Sequence, residues 1–249
     1  MPEDTVAEAG PFPREAEDPH CLTDDRADEL LRRAPWRRFV VIGDSLAKGL
    51  AEPTEGYRPL TWAVRTAAAL RRAQPDLAYL NLGVENLTAA QVRQSQLAAA
   101  LDFAPDLAAV VCGGNDTLLR RFTPDAVAEE LDGLLGPLRA AGAEVVTFTL
   151  QDLSAAFPSF AEGPLPPRIR QLNEVIRSSA GRHGVTVVDM ASHPARSEPD
   201  LYASDLRHAS MRGHAVVAAA TITVLGQRLA ATADPTPSGT GAGPVEVSR

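Results

Sequence analysis

Cysteine is scarce in this sequence, basic residues are outnumbered by acidic ones, and long apolar runs are missing. The two cysteines, Cys21 and Cys112, are too few for a disulfide framework or a cysteine zinc site, and they fit a reducing compartment. With 24 Lys and Arg against 32 Asp and Glu, the formal net charge is −8, which disfavours binding to nucleic acid or to an anionic membrane. No uninterrupted apolar stretch reaches the roughly 18 residues of a membrane span.

Both ends of the sequence are expected to lie outside the folded domain. The start, MPEDTVAEAGPFPRE, is acidic and lacks the basic and apolar regions of a signal peptide, which favours a cytoplasmic location. Residues 1–22, rich in Pro, Glu and Asp, predict a flexible leader, and residues 232–249, rich in Pro, Gly, Ser and Thr, predict a disordered tail. A composition of 45% hydrophobic and 22% charged residues is ordinary for a globular protein, and we expect one domain over residues 23–231.

Short apolar runs alternate with longer segments of helical spacing between these ends. The runs are near-continuous, as in parallel strands covered on both faces, and lie at 39–42, 77–82, 107–112, 145–150 and 185–188. The helical segments lie at about 58–74, 88–101, 124–141, 166–183 and 210–231, and their candidate N-caps include Thr88, Thr123 and Ser210. Thr23 is a candidate cap for a shorter helix. The alternation predicts an α/β fold with a mainly parallel five-stranded sheet and helices on both faces.

Small and polar residues follow the predicted strands, at the sheet edge where such folds place functional groups. They are Gly43-Asp44-Ser45-Leu46, then Gly83, then Gly113-Gly114-Asn115-Asp116, and finally Asp205 and His208 before the last helix. A serine hydroxyl needs an adjacent base, which His208 can supply, and Asp205 lies three residues earlier, where it can orient the ring. The backbone N–H of Gly83 and the amide of Asn115 are candidate donors to an oxyanion. These residue types predict acyl transfer through a serine.

The four blocks, in this order and spacing, resemble the signature of the SGNH (GDSL) hydrolases over about residues 37–230. The resemblance implies a three-layer α/β/α sandwich, which is flavodoxin-like in plan, and chemistry that needs no metal or organic cofactor. It makes Ser45 the nucleophile and, through its N–H, an oxyanion donor, with Gly83 and Asn115 completing the oxyanion hole. It makes His208 the base and Asp205 the residue that orients it.

The sequence departs from this family pattern at two positions and leaves some roles open. Ala209 stands where the family often has Pro, and Asn86 stands where the second block usually carries another Gly. Asp189 is an alternative partner for His208, Cys112 is an alternative nucleophile, and His214 is an alternative metal ligand. Asp44 is expected to be a structural acceptor that fixes the nucleophile loop rather than an acid.

The sequence therefore predicts a serine esterase or deacylase that acts on a small-molecule acyl ester. An acyltransferase or thioesterase of a biosynthetic pathway would use the same acyl-serine, and a non-catalytic binding module on a hydrolase fold is a third alternative. Candidate substrate-binding residues come from the loops that follow the strands, namely Leu46, Asp116, Asp152 and Phe157. The sequence gives no oligomeric state.

Overall fold

Five parallel strands form the central sheet of the structure, a computed structural model that describes residues 12–233. The strands in chain order are β1 (Arg38–Gly43), β2 (Ala51–Glu52), β3 (Ala78–Asn81), β4 (Leu107–Val111), β5 (Glu144–Phe148), β6 (Thr186–Val188) and β7 (Ala209–Ser210). The large sheet has the order β3-β1-β4-β5-β6, and Phe39 of β1 pairs with Tyr79 on one side and Leu107 on the other. The short strands β2 and β7 form a separate parallel pair.

Eight α-helices accompany these strands in the described part of the chain. They are α1 (Pro13–Glu17), α2 (Asp24–Leu31), α3 (Ser45–Lys48), α4 (Trp62–Ala73), α5 (Ala89–Asp102), α6 (Pro124–Ala140), α7 (Leu165–His183) and α8 (Met211–Ala233). Thr88 caps α5 in a reciprocal capping box with Gln91, and the Ser210 hydroxyl accepts from the Gly213 N–H at the start of α8. Thr123 precedes α6 without a side-chain cap.

The helices cover both faces of the large sheet. Successive residues of β1 point to opposite sides of the sheet, so they contact different helices. Phe39 and Val41 belong to a core packed by α2, α4 and α8, whereas Val40 and Ile42 belong to a core packed by α5, α6 and α7. Both cores exclude water, which explains why the strands are near-continuous apolar runs. The predicted three-layer α/β/α sandwich is confirmed. Helix α8 is long and apolar enough to cross a membrane by length and composition alone, yet it packs here as a core helix.

Part of the predicted flexible leader is folded onto the domain. Within residues 12–22, helix α1 places Glu15 at 5% exposure, 2.6 Å from the guanidinium groups of both Arg58 and Arg65. Asp18 lies 2.7 Å from Arg212 of α8. The leader prediction is therefore wrong for residues 12–22, because the acidic residues that suggested solvation are paired with distant arginines. Residues 1–11 of the leader and 234–249 of the predicted tail lie outside the described residues, and α8 extends into the start of that tail.

The sheet order places the polar blocks around one crevice. From β1 the chain moves to β3 on one side, and then returns across β1 to β4 on the other. Ligands of open α/β sheets bind at such a reversal, outside the carboxyl ends of the strands. The segments that follow β1 and β4 meet there.

Candidate active site

Ser45 is the first residue of α3, which begins directly after β1. Gly43 makes this sharp exit possible, because a Cβ at its φ of 146° would lie 1.9 Å from the carbonyl oxygen of Val111. The Asp44 carboxylate then accepts the Leu46 N–H at 3.0 Å and so caps the short helix. The indole N–H of Trp62 donates to the Leu46 carbonyl at 2.8 Å. These contacts fix Ser45, and Asp44 is the structural acceptor that the sequence predicted.

Asp205 and His208 lie on one tight loop before α8. The Asp205 Oδ2 is 2.6 Å from His208 Nδ1, and Oδ1 accepts the backbone N–H groups of Arg207 and His208 at 2.9 and 3.0 Å. Leu206 between them has a φ of 56°, a left-handed conformation that is unusual for leucine and that lets the carboxylate fold back over the loop.

The surroundings of Asp205 keep its carboxyl group ionised. Burial favours the neutral form, but the hydrogen bonds from Arg207 and His208 outweigh it and lower the pKa of Asp205 to about 2. A carboxylate only accepts hydrogen bonds, so His208 Nδ1 carries a proton, and in the neutral ring Nε2 is then the acceptor. The ring is therefore in the tautomer that a general base requires.

Ser45 and His208 line the same cavity, whose volume is about 470 Å³. Most of its wall is apolar and includes Trp62, Phe148, Leu150, Leu165, Ile169 and Met190. Within the described residues, no hydrogen bond joins the Ser45 hydroxyl to the His208 ring, and such bonds are often long in unliganded enzymes. The serine, the histidine and an apolar binding space thus share one site.

The two predicted oxyanion donors outside the serine differ in availability. Asn115 lines the cavity, and its Nδ2 donates one hydrogen to the Leu87 carbonyl at 3.0 Å, which leaves the second amide hydrogen free. The N–H of Gly83 instead donates to Asn81 Oδ1 at 2.9 Å. Gly83 as an oxyanion donor is therefore a wrong assignment in this structure, because an Asx-turn occupies its N–H.

Gly83 has a different role, which follows from its close packing against α3. A Cβ at this position would lie 2.3 Å from the backbone nitrogen of Lys48 in α3, so only glycine allows the loop to pack against the nucleophile helix. The Asn81-x-Gly83 spacing is a signal for the Asx-turn that was present in the sequence. Asn86, at the departure from the family pattern, adopts a φ of 65°, a region that asparagine tolerates better than most residues.

Of the four predicted substrate-binding residues, only Leu46 lines the cavity. Asp116 is 8% exposed and accepts the Ala89 N–H at the start of α5, where burial raises its pKa. Asp152 accepts the Ser154 N–H at 3.0 Å, and Phe157 packs edge-on against Tyr202. These three predictions are wrong, because backbone N–H donors hold the two carboxylates, and ring packing holds Phe157, away from the cavity.

The alternative roles left open by the sequence find no support in the geometry. Asp189 accepts from Thr149 and Arg177 at 2.6 and 2.8 Å rather than from His208. Cys112 is buried in the core, and burial raises the pKa of its thiol well above its usual value. No group of three or more His, Cys, Asp and Glu residues is placed to hold a metal ion among residues 12–233.

His214 is a buried neutral histidine that connects three elements. Its Nδ1 accepts the Trp62 N–H at 3.1 Å, so the proton is on Nε2, which donates to the Leu50 carbonyl at 3.2 Å. Burial lowers the pKa of His214 to about 4. Both ring nitrogens are occupied, so neither is available to a metal ion.

The sequence did not identify most of the cavity wall, because it comes from separate elements. Trp62 lies on α4, Ile169 on α7 and Met190 in the turn after β6, and no local pattern connects them. Gln151, three residues after the end of β5, also lines the cavity, and its Nε2 is buried without a hydrogen-bond partner.

Asp44 is expected to make folding stability depend on pH. Burial, with a further contribution from the charge of Asp116, raises the pKa of Asp44 to about 7. The Leu46 N–H and His208 act in the opposite direction, but they are outweighed. Because the folded pKa exceeds the unfolded value of 3.8, the stabilisation is complete below about pH 4 and is lost as the pH rises through 7. Asp44→Asn keeps an oxygen acceptor but cannot ionise.

Urea unfolding of both proteins between about pH 4 and 9 measures this effect. We expect the stability of the wild type relative to Asp44→Asn to fall up to about pH 7 or 8 and then to level off. A constant difference across this range would show that Asp44 does not titrate there.

Comparisons with known proteins support the fold and identify the family. LAE5, an alpha/beta hydrolase from the metagenome of Lake Arreo, Spain, has a TM-score of 0.63 at 21% identity over 76% of this chain and 95% of its own. A catalytic mutant of Axe2, an acetylxylan esterase from Geobacillus stearothermophilus, has a TM-score of 0.63 at 17% identity over 76% and 94%. The psychrotrophic esterase EstA from Pseudoalteromonas sp., inhibited by monoethylphosphonate, has a TM-score of 0.60 at 14% identity over 78% and 99%.

No curated protein matches the chain. The model of the GDSL-like Lipase/Acylhydrolase family, however, matches residues 41–216. This span runs from the end of β1 to the start of α8 and includes the nucleophile helix, the Asn115 turn and the Asp205–His208 loop. Because the match covers well over half of the sequence, the chain belongs to the GDSL-like lipase/acylhydrolase family.

Proposed function

We propose that the protein is a serine esterase that cleaves acyl esters through an acyl-serine intermediate. The observation that carries the proposal is that Ser45 and His208 line one largely apolar cavity. Asp205 Oδ2 lies 2.6 Å from Nδ1 of that histidine. A pair of this kind beside a helix-terminal serine is the arrangement that nucleophilic catalysis requires.

The reaction follows from the protonation states of these groups. His208 Nε2 accepts the proton of the Ser45 hydroxyl while Oγ attacks the ester carbonyl carbon. The imidazolium that forms is stabilised by the Asp205 carboxylate at Nδ1. His208 then gives the proton to the departing alkoxide, so the alcohol leaves and an acyl-serine remains. Water repeats the sequence on the acyl-serine and releases the carboxylic acid.

The negative charge on the carbonyl oxygen needs hydrogen-bond donors. The N–H of Ser45 lies in the first turn of α3, where backbone donors have no partner within the helix. The free amide hydrogen of Asn115 is the second donor of the proposal, since the N–H of Gly83 is already bonded to Asn81. An oxyanion hole with two donors makes each of them important.

Asn115→Ala is expected to lower kcat by roughly 10²–10³-fold with little change in KM, because the bond strengthens as charge develops on the carbonyl oxygen. Steady-state kinetics and thermal melting on the same preparation test this, since Asn115 also holds the Leu87 carbonyl. A lower melting temperature with unchanged kcat would assign Asn115 to loop structure alone.

The cavity favours an acyl group larger than acetyl. Its volume of about 470 Å³ and its Leu, Ile, Trp, Phe and Met lining suit a hydrocarbon chain. A panel of esters and thioesters of increasing acyl length tests this, with turnover expected to rise beyond the acetyl substrate. A preference for acetyl esters would overturn the assignment of the acyl group.

The same panel separates hydrolysis from acyl transfer. With added alcohols or amines, an esterase releases mainly free acid, whereas an acyltransferase forms the new ester or amide. Faster turnover of thioesters than of oxygen esters of equal length would instead identify a thioesterase.

A further inference from the structure

Gln151 occupies a fixed position on the wall of the active-site cavity. It follows Leu150, whose backbone N–H and carbonyl are both bonded to the side-chain amide of Asn173 in α7, at 2.7 and 2.8 Å. Asn173 is itself 4% exposed. The backbone that carries Gln151 is therefore held on a helix of the core, as a precise binding group requires.

The amide of Gln151 has unused hydrogen-bonding capacity. Its Nε2 is buried and has no partner, and within residues 12–233 it is the only buried side-chain nitrogen or oxygen in this condition. A buried amide without a hydrogen bond is destabilising, and native proteins rarely keep one without a reason. The exception lies in the wall of the cavity that Ser45 also lines, rather than in the cores on either face of the sheet.

Apart from Arg207, whose side chain is exposed, the polar side chains of the cavity wall that do not act on the ester are already engaged. The Thr117 hydroxyl donates to the Gly114 carbonyl at 2.6 Å, and the Thr149 hydroxyl donates to Asp189 at 2.6 Å. Both ring nitrogens of His214 are occupied. Outside the residues that act on the ester itself, Gln151 is thus the buried polar group of the described cavity wall whose hydrogen-bonding capacity is unused.

We propose that the Gln151 amide binds an oxygen atom of the substrate other than those of the scissile ester, namely a hydroxyl, ether or carbonyl oxygen. This inference rests on the esterase function proposed above. The terminal amide torsion of glutamine is broad and roughly two-fold, so rotation about it can turn Nε2 toward a bound acceptor. The substrate is then an acyl ester with a second oxygen in a mainly hydrocarbon framework.

Isosteric ester pairs test this proposal. In the first arm, p-nitrophenyl 3-methoxypropanoate is compared with p-nitrophenyl pentanoate, so that one oxygen replaces one methylene in the acyl half. In the second arm, 2-methoxyethyl hexanoate is compared with butyl hexanoate, which places the oxygen in the alcohol half. The quantity measured is the ratio of kcat/KM within each pair, for the wild type and for Gln151→Met.

We expect the ratio to favour the oxygen-bearing ester about tenfold more in the wild type than in Gln151→Met, in the arm that matches the natural substrate. Comparing ratios removes the intrinsic reactivity of the ether esters. Leu153 lies in the same wall, and Leu153→Met changes its shape without adding or removing an amide. This control variant should leave both ratios as in the wild type. Equal ratios in the wild type and Gln151→Met in both arms would overturn the proposal.

A second measurement applies if Gln151→Met does not fold. The wild-type ratios are compared with those for hydroxide-catalysed hydrolysis of the same esters, and wild-type ratios no larger than the hydroxide ratios in both arms contradict the proposal. Failure of the esterase function is recognised separately, because the wild type would then hydrolyse neither member of either pair and a fluorophosphonate would not label Ser45.

Discussion

Replacing Ser45 by alanine is expected to lower ester turnover by on the order of 10⁴–10⁶-fold, because removal of a triad nucleophile leaves only the catalysis due to binding and the oxyanion donors. The fold should be unaffected. The Ser45 hydroxyl makes no hydrogen bond that holds the described structure together, whereas α3 is fixed by Asp44, Trp62 and Gly43. The melting temperature should therefore stay within about 2 °C of the wild type.

Two measurements separate this result from general inactivation. A fluorophosphonate should label the wild type at Ser45, as located by mass spectrometry, and should not label Ser45→Ala. Ser95→Ala is a matched control, because Ser95 lies on the exposed face of α5 and bonds only to the Gln91 carbonyl. Its rate should equal that of the wild type. If Ser45→Ala kept more than about a tenth of the activity, another residue would be the nucleophile.

The strands and helices of the domain were predictable because each is encoded by a local pattern. All five apolar runs became strands of the large sheet with ends shifted by at most two residues, and Thr23, Thr88 and Ser210 cap helices as expected. Asp205 and His208 are three residues apart, so one turn of chain joins them. Local geometry of this kind can be deduced from spacing alone.

The failures concern contacts between segments that are distant in sequence or choices between competing hydrogen bonds. Gly83 was assigned as an oxyanion donor, but the nearby Asn81 side chain occupies its N–H. Asp116 looked like a polar point in the pocket, but it accepts the Ala89 N–H, 27 residues earlier. A sequence shows which groups can form hydrogen bonds, and only the packed chain shows which partner each of them takes.

The leader, residues 1–22, is the clearest case of contacts between distant segments that the sequence does not reveal. The structure reverses what the sequence suggests about the effect of removing it. An acidic, proline-rich leader would be expected to be dispensable. Yet Glu15 lies between the guanidinium groups of Arg58 and Arg65, and Asp18 accepts from the Tyr57 hydroxyl at 2.8 Å. Burial opposes ionisation of both carboxyl groups, but their bonds to arginine outweigh it and lower the pKa of each. Both therefore stabilise the fold at neutral pH, and this contribution is lost only as the pH falls through the lowered pKa values.

Glu15→Ala is expected to destabilise the protein by about 3–5 kcal/mol, because it leaves the Arg65 side chain, 7% exposed, without its charged partner. For a chain of this size the melting temperature should fall by on the order of 10 °C. Glu17→Ala is the matched control, since Glu17 lies in the same short helix but is exposed. Equal melting temperatures for the two variants would show that the Glu15 contacts do not stabilise the fold.

Deleting residues 1–20 should have the larger effect and should reach the active site. It removes Asp18 as well as Glu15, so Arg212 of α8 loses a partner at 2.7 Å. Arg212 also binds Asp200 at 2.6 Å, and the Ser210 hydroxyl donates to the Asp200 carbonyl at 2.6 Å. These contacts hold together the two ends of the loop that carries Asp205 and His208.

We therefore expect the deletion of residues 1–20 to lower kcat as well as stability, even at a temperature where the variant is folded. Circular dichroism at the assay temperature establishes that the variant is folded. Wild-type kcat in a folded but less stable deletion variant would limit the leader to a structural role.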